Sequence, residues 1–129
     1  MAINNAEGLH PEFAAAYNAG DIERLMDLYT PNAQLVPSPG MPVSGHVAIR
    51  EALSGFLALK GTMVMTPRLR LEAEGTALLI SDWTIDGTAP DGSSLSLAGR
   101  TSDVAVQQAD GGWLVAIDNP FGGEGAGPA

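Results

Sequence analysis

Along the first third of the chain the apolar positions repeat at helical intervals. Between about Ala6 and Ala19, Leu9, Phe13, Ala16 and Tyr17 follow one another at steps of four, three and one, which predicts an amphipathic helix. Gly20 supplies its stop and Asp21 a cap for a second helix, whose Ile22, Leu25, Met26 and Tyr29 share a face. That helix is expected to end near Thr30, because Pro31 disfavours a helical residue before it and brings no N–H of its own. Ala33 to Val36 reads as a short strand, and the three prolines between Pro37 and Pro42 describe a loop. Ser44 or Gly45 then starts a third helix, with Val47, Ile49, Ala52, Leu53, Phe56 and Leu57 as its stripe and Gly61 as its stop.

The period changes from 3.6 to 2 in the second half. Apolar and polar residues alternate from Met63 to Glu74, Ala77 to Asp86 and Ser94 to Gln108, and Trp113 to Asp118 forms a last strand. Gly75-Thr76, Pro90-Asp91-Gly92 and Asp110-Gly111-Gly112 carry the turn chemistry between them, so the four strands form an antiparallel meander. Three helices followed by such a sheet make an α+β domain of two layers round one core. The domain is expected over residues 1–121, and the glycine-rich residues 122–129 read as a flexible tail.

Composition narrows the partners. The 129 residues carry six Lys and Arg against 15 Asp and Glu, a net charge of −9, which repels nucleic acid and anionic membrane surfaces. There is no Cys, hence no disulfide, thiolate nucleophile or cysteine zinc site. The N-terminal residues lack a basic start with a long apolar stretch, and no apolar run nears the ~20 residues of a membrane span. A cytoplasmic protein is the expectation. No GxGxxG, P-loop, HExxH or EF-hand pattern occurs, and His10 and His46, each read as sitting at a solvated helix start, make no metal site. Neither cofactor nor metal is expected.

Ala16-Tyr17-Asn18-Ala19-Gly20-Asp21-Ile22-Glu23-Arg24-Leu25, with Leu28-Tyr29 and Asn32-Ala33 after it, resembles the start of nuclear transport factor 2-like domains, which include ketosteroid isomerases and SnoaL-like proteins. Ser44-Gly45-His46-Val47-Ala48-Ile49-Arg50 and Asp110-Gly111-Gly112-Trp113-Leu114-Val115 are similar to later parts of the same group. The resemblance implies a cone-shaped, curved antiparallel sheet on three N-terminal helices, of the cystatin-like kind, with a pocket at its wide end and pairing into a homodimer through the outer sheet face. It does not imply steroid isomerisation. The position of that enzyme's oxyanion-binding tyrosine falls on Phe13, its base falls in Val36-Pro37-Ser38, where there is no carboxylate, and its second donor falls near Ser102 or Asp103.

The pocket lining expected on this basis is Phe13, Tyr17, Val36, Phe56, Trp83, Arg100, Ser102 and Asp118. Alternation places Arg100, Ser102 and Val104 on one strand face. If that face is concave, the guanidinium can take a carboxylate ligand; otherwise Arg100 pairs with Asp82 or Asp118, or sits at a dimer contact. Trp83 reads as core more often than as pocket wall, and Tyr17 reads equally as a rim residue whose hydroxyl meets solvent or a backbone carbonyl. Three functions stay open: a pocket protein binding a small, largely apolar molecule with or without a carboxylate; a SnoaL-like cyclase, isomerase or hydratase using Asp82, Asp103 or Asp118; and a dimeric interaction module. The second requires one of those carboxylates to face a closed pocket with a raised pKa.

Overall fold

The computed structural model describes residues 3–124. Of the expected tail, residues 122–124 lie in turns, with Gly122 N–H donating to the Asn119 carbonyl, and 125–129 lie outside the described residues.

A single 3-10 turn (Ala6–Gly8) leads into α1 (Leu9–Asn18), α2 (Ile22–Met26), β1 (Tyr29–Leu35), β2 (Val43–Ser44), α3 (Gly45–Leu57), β3 (Thr62–Ala73), β4 (Thr76–Thr88), β5 (Ser94–Gln107) and β6 (Trp113–Asp118). The Asp21 carboxylate accepts from the Arg24 N–H and caps α2. This helix is shorter than the sequence suggests. Tyr29 and Thr30 belong to β1, so the expected strand begins four residues earlier and the second helix stops before Leu28. Tertiary pairing overrides the helical spacing here: Tyr29 pairs with Val115 of β6, and the Val115 N–H donates to the Leu28 carbonyl.

The six strands form one curved sheet in the order β2-β1-β6-β5-β4-β3. β3 to β6 make the antiparallel meander, while β1 runs parallel to β6. The helices cover the concave face. α1 is fastened at its C-terminal end by Asn18, whose amide donates to the Met63 carbonyl and accepts from the Met63 N–H, as a neighbouring strand would.

Two bulges decide which residues face the helices. In β6 the register slips between the Ala105–Val115 and Val104–Ile117 pairs, so Val115 and Asp118, three residues apart, both point inward. In β3 the slip between Pro67 and Leu69 leaves Arg68 outside the pairing and turns Leu69 and Leu71 to the convex face, opposite Ile80 and Leu78. Gly99 allows a close approach on the concave side: a Cβ there would lie 2.8 Å from the Pro120 carbonyl oxygen and 2.9 Å from the Trp83 ring.

Candidate active site

Between α1, α3 and the concave face lies a cavity of about 50 Å³, counted as room for the centres of water molecules. A single water needs roughly 10–15 Å³ on that measure, so the space takes several waters or a guest of a few heavy atoms. Its walls are Leu9, Phe13 and Tyr17 from α1, Leu53 and Phe56 from α3, and Leu35, Met63, Met65, Trp83, Ile85 and Val115 from the sheet. Trp83 is held by its indole N–H, which donates to the Pro120 carbonyl at 2.7 Å, and by an edge contact with Phe121.

One side of this apolar space is polar. His10, Thr101, Asp103 and Asp118 line it. Asp103 accepts from His10 Nε2 (2.6 Å) through Oδ2, and from the Thr101 hydroxyl (2.5 Å) and the Asn119 N–H (2.9 Å) through Oδ1. Three donors fix this carboxylate in place. With Nε2–H given to Asp103, His10 Nδ1 accepts from the Ser81 hydroxyl at 2.6 Å. Ser81, His10 and Asp103 thus have the composition of a nucleophile triad, but Ser81 is 1% exposed and does not line the cavity, so the serine orients the imidazole.

Asp118 is 7% exposed and bonded through Oδ2 to the Tyr29 hydroxyl. Burial, and then the neighbouring Asp103 charge, push the Asp118 carboxyl well above the usual carboxylate range; the Tyr29 hydrogen bond pulls the other way. Burial and the Asp118 charge likewise raise the Tyr29 phenol. Asp118 and Asp103 are within hydrogen-bond reach of each other. Among the described residues, the Tyr29 hydroxyl is the one N–H or O–H donor that reaches the Asp118 carboxyl, which lines the cavity. The result is a line of polar groups, Ser81–His10–Asp103–Asp118–Tyr29, contributed by β4, α1, β5, β6 and β1.

Five of the eight expected pocket residues line the cavity: Phe13, Tyr17, Phe56, Trp83 and Asp118. Three do not. Arg100 and Ser102 project from the convex face, because Thr101 and Asp103 take the concave positions of β5; Arg100 Nε lies 2.7 Å from Asp82 Oδ1. Val36 lies one residue beyond β1, and Leu35 fills the space instead. Asp82 also faces outward, shared between Arg100 and Arg68. Tyr17 donates to the Phe56 carbonyl at 2.7 Å, the rim arrangement.

His10 is a correction: it is 5% exposed rather than solvated. Its spacing to Phe13 and Tyr17, three and seven residues, puts it on the same helix stripe, a signal the following proline obscured. Pro11 sits in the first turn of α1, where its missing N–H costs nothing. His46 is exposed and its Nε2 lies against the Tyr29 and Thr30 carbonyls. Among the described residues no group of three or more His, Cys, Asp or Glu could hold a metal ion, and no helix is long and apolar enough to cross a membrane.

Solved structures share this architecture. A conserved protein from Planctomyces limnophilus DSM 3776 is 20% identical, with a TM-score of 0.77 over 87% of this chain and 88% of that one. An NTF-2 like protein of unknown function from Shewanella oneidensis MR-1 is 17% identical (TM-score 0.72; 87% and 92%). A protein of unknown function from Mycobacterium tuberculosis is 22% identical (TM-score 0.71; 87% and 66%). At these identities the likeness shows the fold alone, which is NTF2-like. No curated protein matches the chain. The SnoaL-like domain family matches residues 11–114, which takes in every cavity-lining residue except Leu9, His10, Val115, Asp118 and Pro120, and the chain belongs to that family.

Proposed function

We propose that the cavity binds a small, largely apolar molecule and moves a proton on it, with Asp118 as the acid that gives the proton and the base that takes one back. The observation that carries this reading is a buried carboxyl on an apolar cavity, pushed well above the usual carboxylate range by burial, beside a second carboxylate that accepts three hydrogen bonds. A carboxyl kept neutral by burial can donate at neutral pH, and once it has done so the Tyr29 hydroxyl stabilises the carboxylate left behind. Asp103, fixed by His10, Thr101 and the Asn119 N–H, is the neighbour whose charge helps to raise Asp118 and so favours its reprotonation. This chemistry fits isomerisation, cyclisation or hydration of a carbonyl compound. It does not reuse the steroid isomerase tyrosine and base positions, since Phe13 has no hydroxyl and Val36-Pro37-Ser38 no carboxylate.

A small cyclic ketone such as cyclopentanone tests it. Deuterium from D2O is expected to enter next to the carbonyl faster with protein than in buffer, read by NMR, and Asp118→Asn is expected to slow this by about 10²–10⁴-fold. Exchange at the buffer rate, or equal exchange by wild type and D118N, defeats the reading.

The convex face supports a homodimer. Val64, Leu69, Leu71 and Ile117 are exposed there, and Asp82 is paired with two arginines. Light scattering is expected to give twice the chain mass, and Leu71→Glu to halve it; a monomeric wild type refutes the pairing.

A further inference from the structure

The guest's charge can be read from what lines the cavity and what does not. No Lys or Arg does. Arg24 is paired with Glu12, Arg50 with Glu23, Arg68 and Arg100 with Asp82, and Arg70 with Glu7 and Glu72, while Lys60 lies at a separate surface groove beside Gly61. A carboxylate guest would meet no cation there, and beside the apolar side chains it would find two aspartates, a histidine bonded at both nitrogens, and the Thr101 and Tyr17 hydroxyls, already donated to Asp103 and the Phe56 carbonyl. The aromatic content points the other way: four of the chain's seven Phe, Tyr and Trp residues, Phe13, Tyr17, Phe56 and Trp83, line this one small space, joined by the polarisable thioethers of Met63 and Met65. Ring faces attract cations once water is excluded.

Resting on the reading of this cavity as a proton-transfer site, we infer that its guest carries an amino group, whose nitrogen hydrogen-bonds the Asp118 carboxyl while its carbon skeleton packs among the rings. The proton balance is simple. A free amine takes the Asp118 proton and becomes ammonium beside a carboxylate; an ammonium that enters as such displaces that proton to solvent. Either way the guest leaves the carboxyl ionised and the line of groups from Tyr29 to His10 in place to hold it. The net charge of −9 also raises the local concentration of cations over anions.

Three probes of matched size decide the matter: isobutylamine, isobutanol and isobutyrate, titrated into the wild-type chain at pH 7 and followed by NMR. Isobutylamine is expected to bind about tenfold tighter than isobutanol, with isobutyrate weaker than both. An amine-to-alcohol ratio of three or less, or isobutyrate binding as well as the amine, overturns the inference and leaves the proton-transfer reading standing. Binding of none of the three also overturns the inference, and the cyclopentanone exchange then decides the proton-transfer reading by itself. In Asp118→Asn the amine preference is expected to fall below threefold while isobutanol still binds; a preference that survives there places the nitrogen elsewhere and refutes the assignment to Asp118. The wild-type ratio stands on its own should D118N fail to fold.

Discussion

Asp82 and Asp118 belong to the same sheet and face opposite sides of it. Asp82, on the convex face of β4, has a side chain 33% exposed with Arg68 and Arg100 each 2.7 Å away, and the Arg100 hydrogen bond, then that of Arg68, hold its carboxyl down at about 2. Asp118, on the concave face of β6, has no cation near it; its neighbours are a phenol and another carboxylate, and burial drives it upward. One residue type in one sheet thus has its carboxyl held down on one face and pushed up on the other. The difference lies in solvent and partners, and it separates a surface held for association from a cavity held for chemistry.

The comparison is broken most severely by removing a partner on the concave side. His10→Leu takes a donor from Asp103 and an acceptor from Ser81, both buried, and leaves a carboxylate short of one of its three bonds. Losses of this kind cost about 3 kcal/mol or more. A large drop in the urea midpoint is therefore expected, whereas Arg100→Leu on the convex face is expected to shift it by no more than the scatter of the measurement. Equal losses at the two positions would mean that the faces do not differ in the way their surroundings indicate.

Much of this arrangement was legible beforehand. The change of period from helical to alternating gave the order of three helices and four meander strands, the strands within a residue or two and the helices within about four, since amphipathic stripes report directly which residues meet a core. The start of β1 was hidden because Tyr29 fits a helical stripe as well as a strand, and only pairing with β6 decides. Face assignment failed on β5 for a specific reason: Leu97, Gly99, Thr101, Asp103 and Ala105 alternate with Ala98, Arg100, Ser102 and Val104, and the two sets are about equally polar. Alternation tells which residues share a face, not which face is covered. Asp118 was reached in spite of its bulge, which no alternation rule contains. His10 was missed although its i, i+3, i+7 spacing with Phe13 and Tyr17 placed it on the buried stripe.

The raised Asp118 carboxyl is exposed by pH. Because the folded Asp118 lies well above the ordinary value of 3.8, the unfolded chain gives up this proton first as pH rises, and folding takes it up again. Its contribution is complete below about pH 4 and declines as pH climbs toward the raised value, by up to about 1.4 kcal/mol for each unit. Asp118→Asn has no proton to lose, so its urea midpoint is expected to be flatter than the wild type's between pH 4.5 and 8, and the two curves converge or cross as pH rises. Parallel curves would show Asp118 already ionised in the fold.

The smallest effect, and one of opposite sign, belongs to Asp82. Its folded carboxyl lies at about 2 against an ordinary 3.8, so the folded chain releases this proton more readily than the unfolded one. Stability from the two arginines is therefore present above about pH 4 and fades as pH falls toward 2. The group is open to solvent, where screening by water and salt leaves little of such an interaction, so Asp82→Asn is expected to move the acid unfolding midpoint only slightly and less at high salt than at low. NMR titration of the Asp82 side-chain carbon measures the same quantity without unfolding the protein, and a midpoint near 4 would show that the arginine clamp on the convex face is not formed in solution.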